Sequence, residues 1–265
     1  MSRITSTTAL LLIFAGIAAA QETSNRFAFA DFLLVPLRVH LLSAKGASNA
    51  ATTLTEQDIA RILPKMNRVW AQAGIHFYLE SLLKEEAAGQ EGYDERAKAD
   101  ESRALLSLRP KETLTTNQFH LYYIHQFRPN GIYIGPGGIF VKDTASLRKV
   151  PGGIDEPLPR VSSHELGHAF TLPHRQDVTN LMASGTTGTW LNEAEIQQAR
   201  ESAKKRDWIQ PASEVLKRAD ELHTAKKATE ARALYQRLAT VPLPAKEVEH
   251  AKQRGGGEEK PAAGK

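Results

Sequence analysis

The hydrophobic pattern opens with an alternation. In FLLVPLRVHLL, residues 32–42, Val35, Leu37, Val39 and Leu41 alternate with Pro36, Arg38 and His40, a period of two that predicts a β-strand. The period then lengthens. Across residues 54–75, Ile59, Ile62, Leu63, Met66, Trp70 and Ala73 recur at steps of three and four, the signature of an amphipathic helix. Thr55 with Asp58 three residues later suits its start, and Gly74 suits its end. Pro64 lies inside and predicts a kink or a split. IHFYLESLL (75–83) reads as a second strand and FHLYYIHQF (119–127) as a third. Between them, residues 84–111 are polar and charge-dense, a surface excursion with one helix near Glu95–Leu108. GIYIGPGGIFV (131–141) predicts a strand, a Pro-Gly-Gly loop and a short strand at Ile139–Val141. After a loop at 142–158, LPRVSSHELGHAF predicts a helix, and Asn192 with Glu195 three later begins another.

Residues 212–252 predict a separate helical pair. Ala219, Leu222, Ala231, Tyr235 and the following Pro242 resemble one tetratricopeptide-type hairpin. A single copy cannot build a solenoid, so the pair reads as an appendage packed on the domain and a surface for protein contact.

Residues 1–20 read as a secretory signal peptide: Arg3, an apolar run from Ala9 to Ala20, and the small pair Ala18 and Ala20 before cleavage at Gln21. The run is short for a membrane span, so the expectation is a secreted or periplasmic protein with no stable membrane insertion after cleavage. An uncleaved anchor is the alternative. The expected divisions are 21–206 for the main domain, 207–252 for the helical hairpin and 253–265 for a disordered, Gly- and charge-rich tail. The formal net charge of +4 is too small to argue for nucleic acid. There is no cysteine, which excludes a disulfide framework and any cysteine-based inhibition of a metal site.

The densest chemistry lies in HELGHAFTLPH, residues 164–174. His164 and His168 are four apart, which on a helix puts both imidazoles on one face, able to grip one ion. Glu165 is rotated away from ligation and can act on a water at the metal. His174 can supply a third ligand if the helix ends soon after Phe170 and the chain turns back, and Pro173 favours extended backbone there.

With His174 at that distance, and Asn180-Leu181-Met182 shortly after, the chain resembles the metzincin zinc endopeptidases, whose pattern is HExxHxxGxxH followed by a methionine turn. The specific part of the resemblance is His164 to Met182; over residues 32–200 it is one of pattern. It implies an α+β fold, a twisted mixed sheet with a backing helix and an active-site helix, to which the C-terminal helices are appended. It implies zinc held by His164, His168 and His174, with Glu165 as general base on the metal-bound water and proton donor to the leaving amine. The substrate would be a protein or peptide. Ile139, Phe140 and Val141 would form the edge strand that takes an extended peptide by strand addition. Met182 would floor the site, and Gly185–Trp190 would wall the pocket after the scissile bond, with Trp190 shaping it. Thr171 stands where the family has a glycine, and a positive φ there costs about 1–2 kcal/mol. Arg175 follows the third histidine, and no tyrosine follows Met182 closely.

Other readings stay open. Ser162 with Glu165 also fits a helix-capping box, and Met182 or Trp190 can be ordinary core residues. A gluzincin-type site would take its third ligand from Glu193 or Glu195, and an inactive zinc-stabilised binding module needs no base. Asp143, Asp155 and Glu156 lie in loops of the kind that bind calcium in related enzymes, but without the spacing of a calcium motif; calcium is the weaker cofactor expectation.

Overall fold

The computed structural model describes residues 26–256. The expected signal peptide and the end of the expected tail lie outside them. Alternation builds the sheet: β1 (Leu33–Ser43), β2 (Ile75–Glu86), β3 (Phe119–Ile124), β4 (Gly131–Tyr133) and β5 (Ile139–Lys142) run in the order β2-β1-β3-β5-β4. All neighbours are parallel except β4, which is antiparallel to β5, so the sheet is mixed and the fold is α+β. A short β6 (Gln210–Pro211) adds antiparallel to the start of β1.

Leu33, Val35, Leu37, Val39 and Leu41 of β1 all enter one core, with Leu121 and Tyr123 of β3 and Ile139 and Val141 of β5. That face is covered by α1 (Glu56–Trp70) and α4 (Pro157–Ala169). The intervening residues are buried as well, apart from the half-buried Arg38. Phe32 and Leu34 pack under three helices, α6 (Ala212–Thr224), α7 (Ala228–Ala239) and α8 (Lys246–Gly255). Leu42, Tyr122 and Phe140 pack under α2 (Tyr93–Ala99) and α3 (Glu101–Ser107). His40, the polar member of the alternation, is wholly buried, stacked on Tyr122 with its Nε2 2.9 Å from Nδ1 of His120.

Several expectations change. Pro64 does not split α1, which is continuous; Pro64 and Ala60, whose carbonyl loses its partner, both face solvent, where water can hydrate the freed group. The capping box of Thr55 and Asp58 forms. The single helix near 95–108 is two, because Asp100 leaves helical backbone to cap α3. The C-terminal pair is three helices, and α8 continues to Gly255, into the stretch expected to be tail. Ile139–Val141 is not the edge strand: these residues are fully buried, with β5 between β3 and β4, and the edge on that side is Gly131–Tyr133. Three residues were too few to show that pairing in the sequence. No helix among the described residues is long and apolar enough to cross a membrane.

Candidate metal centre

α4 starts at Pro157 with Glu156 at its N-cap, so Ser162 is mid-helix and its hydroxyl bonds the Tyr123 hydroxyl (2.8 Å) rather than capping anything. Arg160, Val161, His164, Glu165 and His168 recur at helical spacing and line one cleft of about 360 Å³. The rest of its lining comes from Pro129 to Tyr133, the strand β4 and its approach, and from Leu147, His174, Ser184 and Gly185.

The helix ends in a Schellman motif. Leu172 N–H donates to the Gly167 carbonyl and Thr171 N–H to that of His168, both at 2.9 Å. The motif needs a left-handed residue, and Thr171 takes it with φ 69°. Gln198, on α5 (Glu193–Lys204), donates to the Thr171 carbonyl at 2.7 Å and contacts its hydroxyl at 3.3 Å, holding the strained residue. The turn delivers His174. Nε2 of His168 lies 3.2 Å from Nε2 of His164 and 3.1 Å from Nε2 of His174.

Those distances test for a metal. Nδ1 of His164 donates to the Leu181 carbonyl and Nδ1 of His168 to that of Leu172, each at 2.8 Å. With their protons on Nδ1, both rings present bare Nε2 lone pairs to one another, a repulsive contact unless a cation lies between them. Three nitrogens at zinc's usual bond length in a tetrahedron stand about 3.3 Å apart, close to what is found. Burial lowers the pKa of His164 to about 3, aided by the Arg160 charge, and burial also lowers that of His168, so both rings are neutral as ligation requires. Among the described residues these three histidines form the one cluster of His, Cys, Asp and Glu able to hold an ion with three or more groups.

Glu165 is 5% exposed and faces the same cleft. Burial pushes its carboxyl up to about 8, against the Arg160 charge and a hydrogen bond with the Tyr133 backbone, which pull it down. A cation held by the neighbouring imidazoles would lower it further, towards the range of a base that works near neutrality. Gly131 makes the edge strand's approach possible, since a Cβ there would stand 2.8 Å from Oε1 of Glu165 and 2.6 Å from Val161.

Met182 is fully buried, with its sulfur against Gly167 of α4. Its N–H donates to Oδ1 of Asn180 (2.7 Å) and its carbonyl accepts from Arg175 N–H (2.9 Å). Glu195 organises the whole turn. Its buried carboxylate accepts from Asn180 Nδ2 (2.8 Å), Arg175 Nε (2.5 Å) and Asn192 N–H (2.8 Å). The capping box of Asn192 and Glu195 was legible in the sequence, but its second duty, joining α5 to the Asn180–Met182 turn, was not. It also accounts for Arg175. Glu193 is exposed and pairs with Arg26. Neither glutamate joins the histidine cluster.

Trp190 is 53% exposed and stands outside the cleft lining, while its backbone pairs with Thr179 and Leu181. Ile139, Phe140 and Val141 are buried in the sheet and do not line the cleft. The calcium candidates are occupied otherwise. Asp143 accepts from Thr52, Thr53 and His125, and Asp155 and Glu156 pair with Lys65, with Arg61 also on Glu156.

No family model matches the sequence, and no curated protein matches it. Solved structures similar to this chain include mirolysin in complex with a compound, at 12% identity and a TM-score of 0.46, covering 64% of this chain and 91% of that one. A chaperone-substrate complex is similar at 13% identity and a TM-score of 0.36, covering 66% of this chain and 34% of that one.

Proposed function

We propose that the protein is an exported zinc-dependent endopeptidase, with His164, His168 and His174 as the ligands and Glu165 as general base. The observation that carries this reading is the convergence of three Nε2 atoms, two of them on rings fixed through Nδ1, beside a carboxyl in the same cleft. A purely structural site has no use for a base at that position. Zinc, when bound, supplies a Lewis acid that polarises the peptide carbonyl and makes water more acidic.

The chain's own groups divide the remaining work. β4 lies at the sheet edge and lines the cleft, so an extended peptide could add along Gly131–Tyr133, which would place the scissile bond over the histidines. Glu165 takes a proton from the attacking water and returns it to the departing amine. The Leu181 carbonyl, next to the buried Met182, holds His164 in its tautomer.

The test is a digest of a mixed peptide library by zinc-loaded protein and by Glu165→Gln, with metal content measured for each. Retained zinc with cleavage reduced about 100- to 10,000-fold in the variant supports the reading. Cleavage by the wild type that persists in Glu165→Gln, or no cleavage by either, overturns it.

A further inference from the structure

Arg160 is an anomaly in the cleft. It precedes His164 by one helical turn and so shares its face, and its side chain is only 2% exposed. Nε donates to the Gly188 carbonyl (3.0 Å), and Nη2 donates to those of Asn180 (3.3 Å) and Ala183. Among the described residues Nη1 has no protein hydrogen-bond partner, and it is not one of the fully buried unpartnered atoms, so solvent reaches it on the cleft-lining side chain. Carbonyls satisfy donors but do not neutralise charge. The one carboxylate acting on this guanidinium is Glu165, and the rest of the lining, Pro129 to Tyr133, Leu147, Val161, Ser184 and Gly185, is uncharged.

A guanidinium this buried, opposed by Glu165 alone, gains from a further anion placed at Nη1. The three carbonyls, of Asn180, Ala183 and Gly188, lie on both sides of Met182, so the guanidinium is clasped between α4 and the 180–188 segment. Under the peptidase reading, on which this rests, that is where the substrate residue after the scissile bond inserts its side chain. We infer that Arg160 is a specificity determinant, and that the pocket selects aspartate or glutamate as the residue on the carboxyl side of the cleaved bond. An arginine fork held rigidly by carbonyls is pre-organised for a carboxylate, and a neutral side chain leaves Nη1 unpaired.

The experiment uses zinc-loaded full-length protein and matched peptides differing only in that residue: Asp against Asn, Glu against Gln, and Leu. The expected result is kcat/KM about tenfold or more higher for each acid than for its amide, the scale on which a buried unpaired group discriminates. In Arg160→Gln the ratio should fall towards one, and in Arg160→Lys it should be partly kept. If Arg160→Gln does not fold, the wild-type ratios decide alone. Equal rates for acid and amide, or a preference for Leu, show Arg160 to be only a clasp for the 180–188 segment and overturn the inference while leaving the peptidase reading intact. No cleavage of any peptide overturns both.

Discussion

A Cβ on Gly167 would collide with the sulfur of Met182. The helix and the Asn180–Met182 turn are therefore in contact at the one position of the helix that has no side chain. The glycine inside HELGH is a packing requirement rather than a backbone one, because its φ is not positive. Gly167→Ala should cost about 1–3 kcal/mol by overpacking. Moving Met182 also moves the Leu181 carbonyl that orients His164, so zinc affinity should drop by about tenfold or more. Urea denaturation and chelator competition measure the two effects, and an unchanged affinity would separate the turn from the metal.

Thr171 predicts the opposite sign. Its left-handed backbone costs about 1–2 kcal/mol that glycine avoids. Glycine returns about 0.5–1 kcal/mol of that through the entropy of the unfolded chain. Thr171→Gly should therefore be more stable by about 0.5–1 kcal/mol, raising Tm by about 1–4 °C, with zinc binding kept. The Gln198 bond to the carbonyl survives the change. A lower Tm would mean that the threonine hydroxyl contributes more than its backbone strain costs.

Glu195 and Glu193 should behave differently although they are two residues apart. Glu195→Gln puts an amide where a buried carboxylate accepts from Asn180, Arg175 and Asn192, and should cost about 1–3 kcal/mol and loosen the metal. Glu193→Gln removes an exposed pair with Arg26 and should change stability by well under 1 kcal/mol and zinc content not at all. Loss of zinc in Glu193→Gln alone would restore Glu193 as a ligand.

His76 sets a pH dependence. It is wholly buried on β2, its Nε2 2.9 Å from the Thr240 hydroxyl at the end of α7, and its Nδ1 has no partner. Burial lowers its pKa to about 3 from 6.5. Between those values the unfolded chain holds the proton and the folded chain does not, so stability rises with pH. The contribution is complete above about pH 6.5 and is lost as pH falls towards 3, at up to about 1.4 kcal/mol per unit. Between pH 7.5 and 5, the stability of His76→Phe should fall less steeply than that of wild type. Parallel curves would mean that His76 takes up its proton equally in both states.

The sequence by itself determined the strands and helices that carry long periodic signals, and it determined the ligand candidates, because spacing along a helix is geometry already. It also determined that Thr171 stood at the turn. Only the tertiary structure decided which strand is the edge. β4 is three residues long, and its place depends on pairing with β5, which no local pattern encodes. The fate of the polar half of the β1 alternation was decided the same way, by α2, α3 and the C-terminal helices arriving from distant sequence to cover it. Arg160 and Glu195 read locally as an ordinary helix cation and a capping acid. Their roles come from groups 20 to 28 and 15 to 20 residues away, brought within hydrogen-bond reach by the turn at Met182.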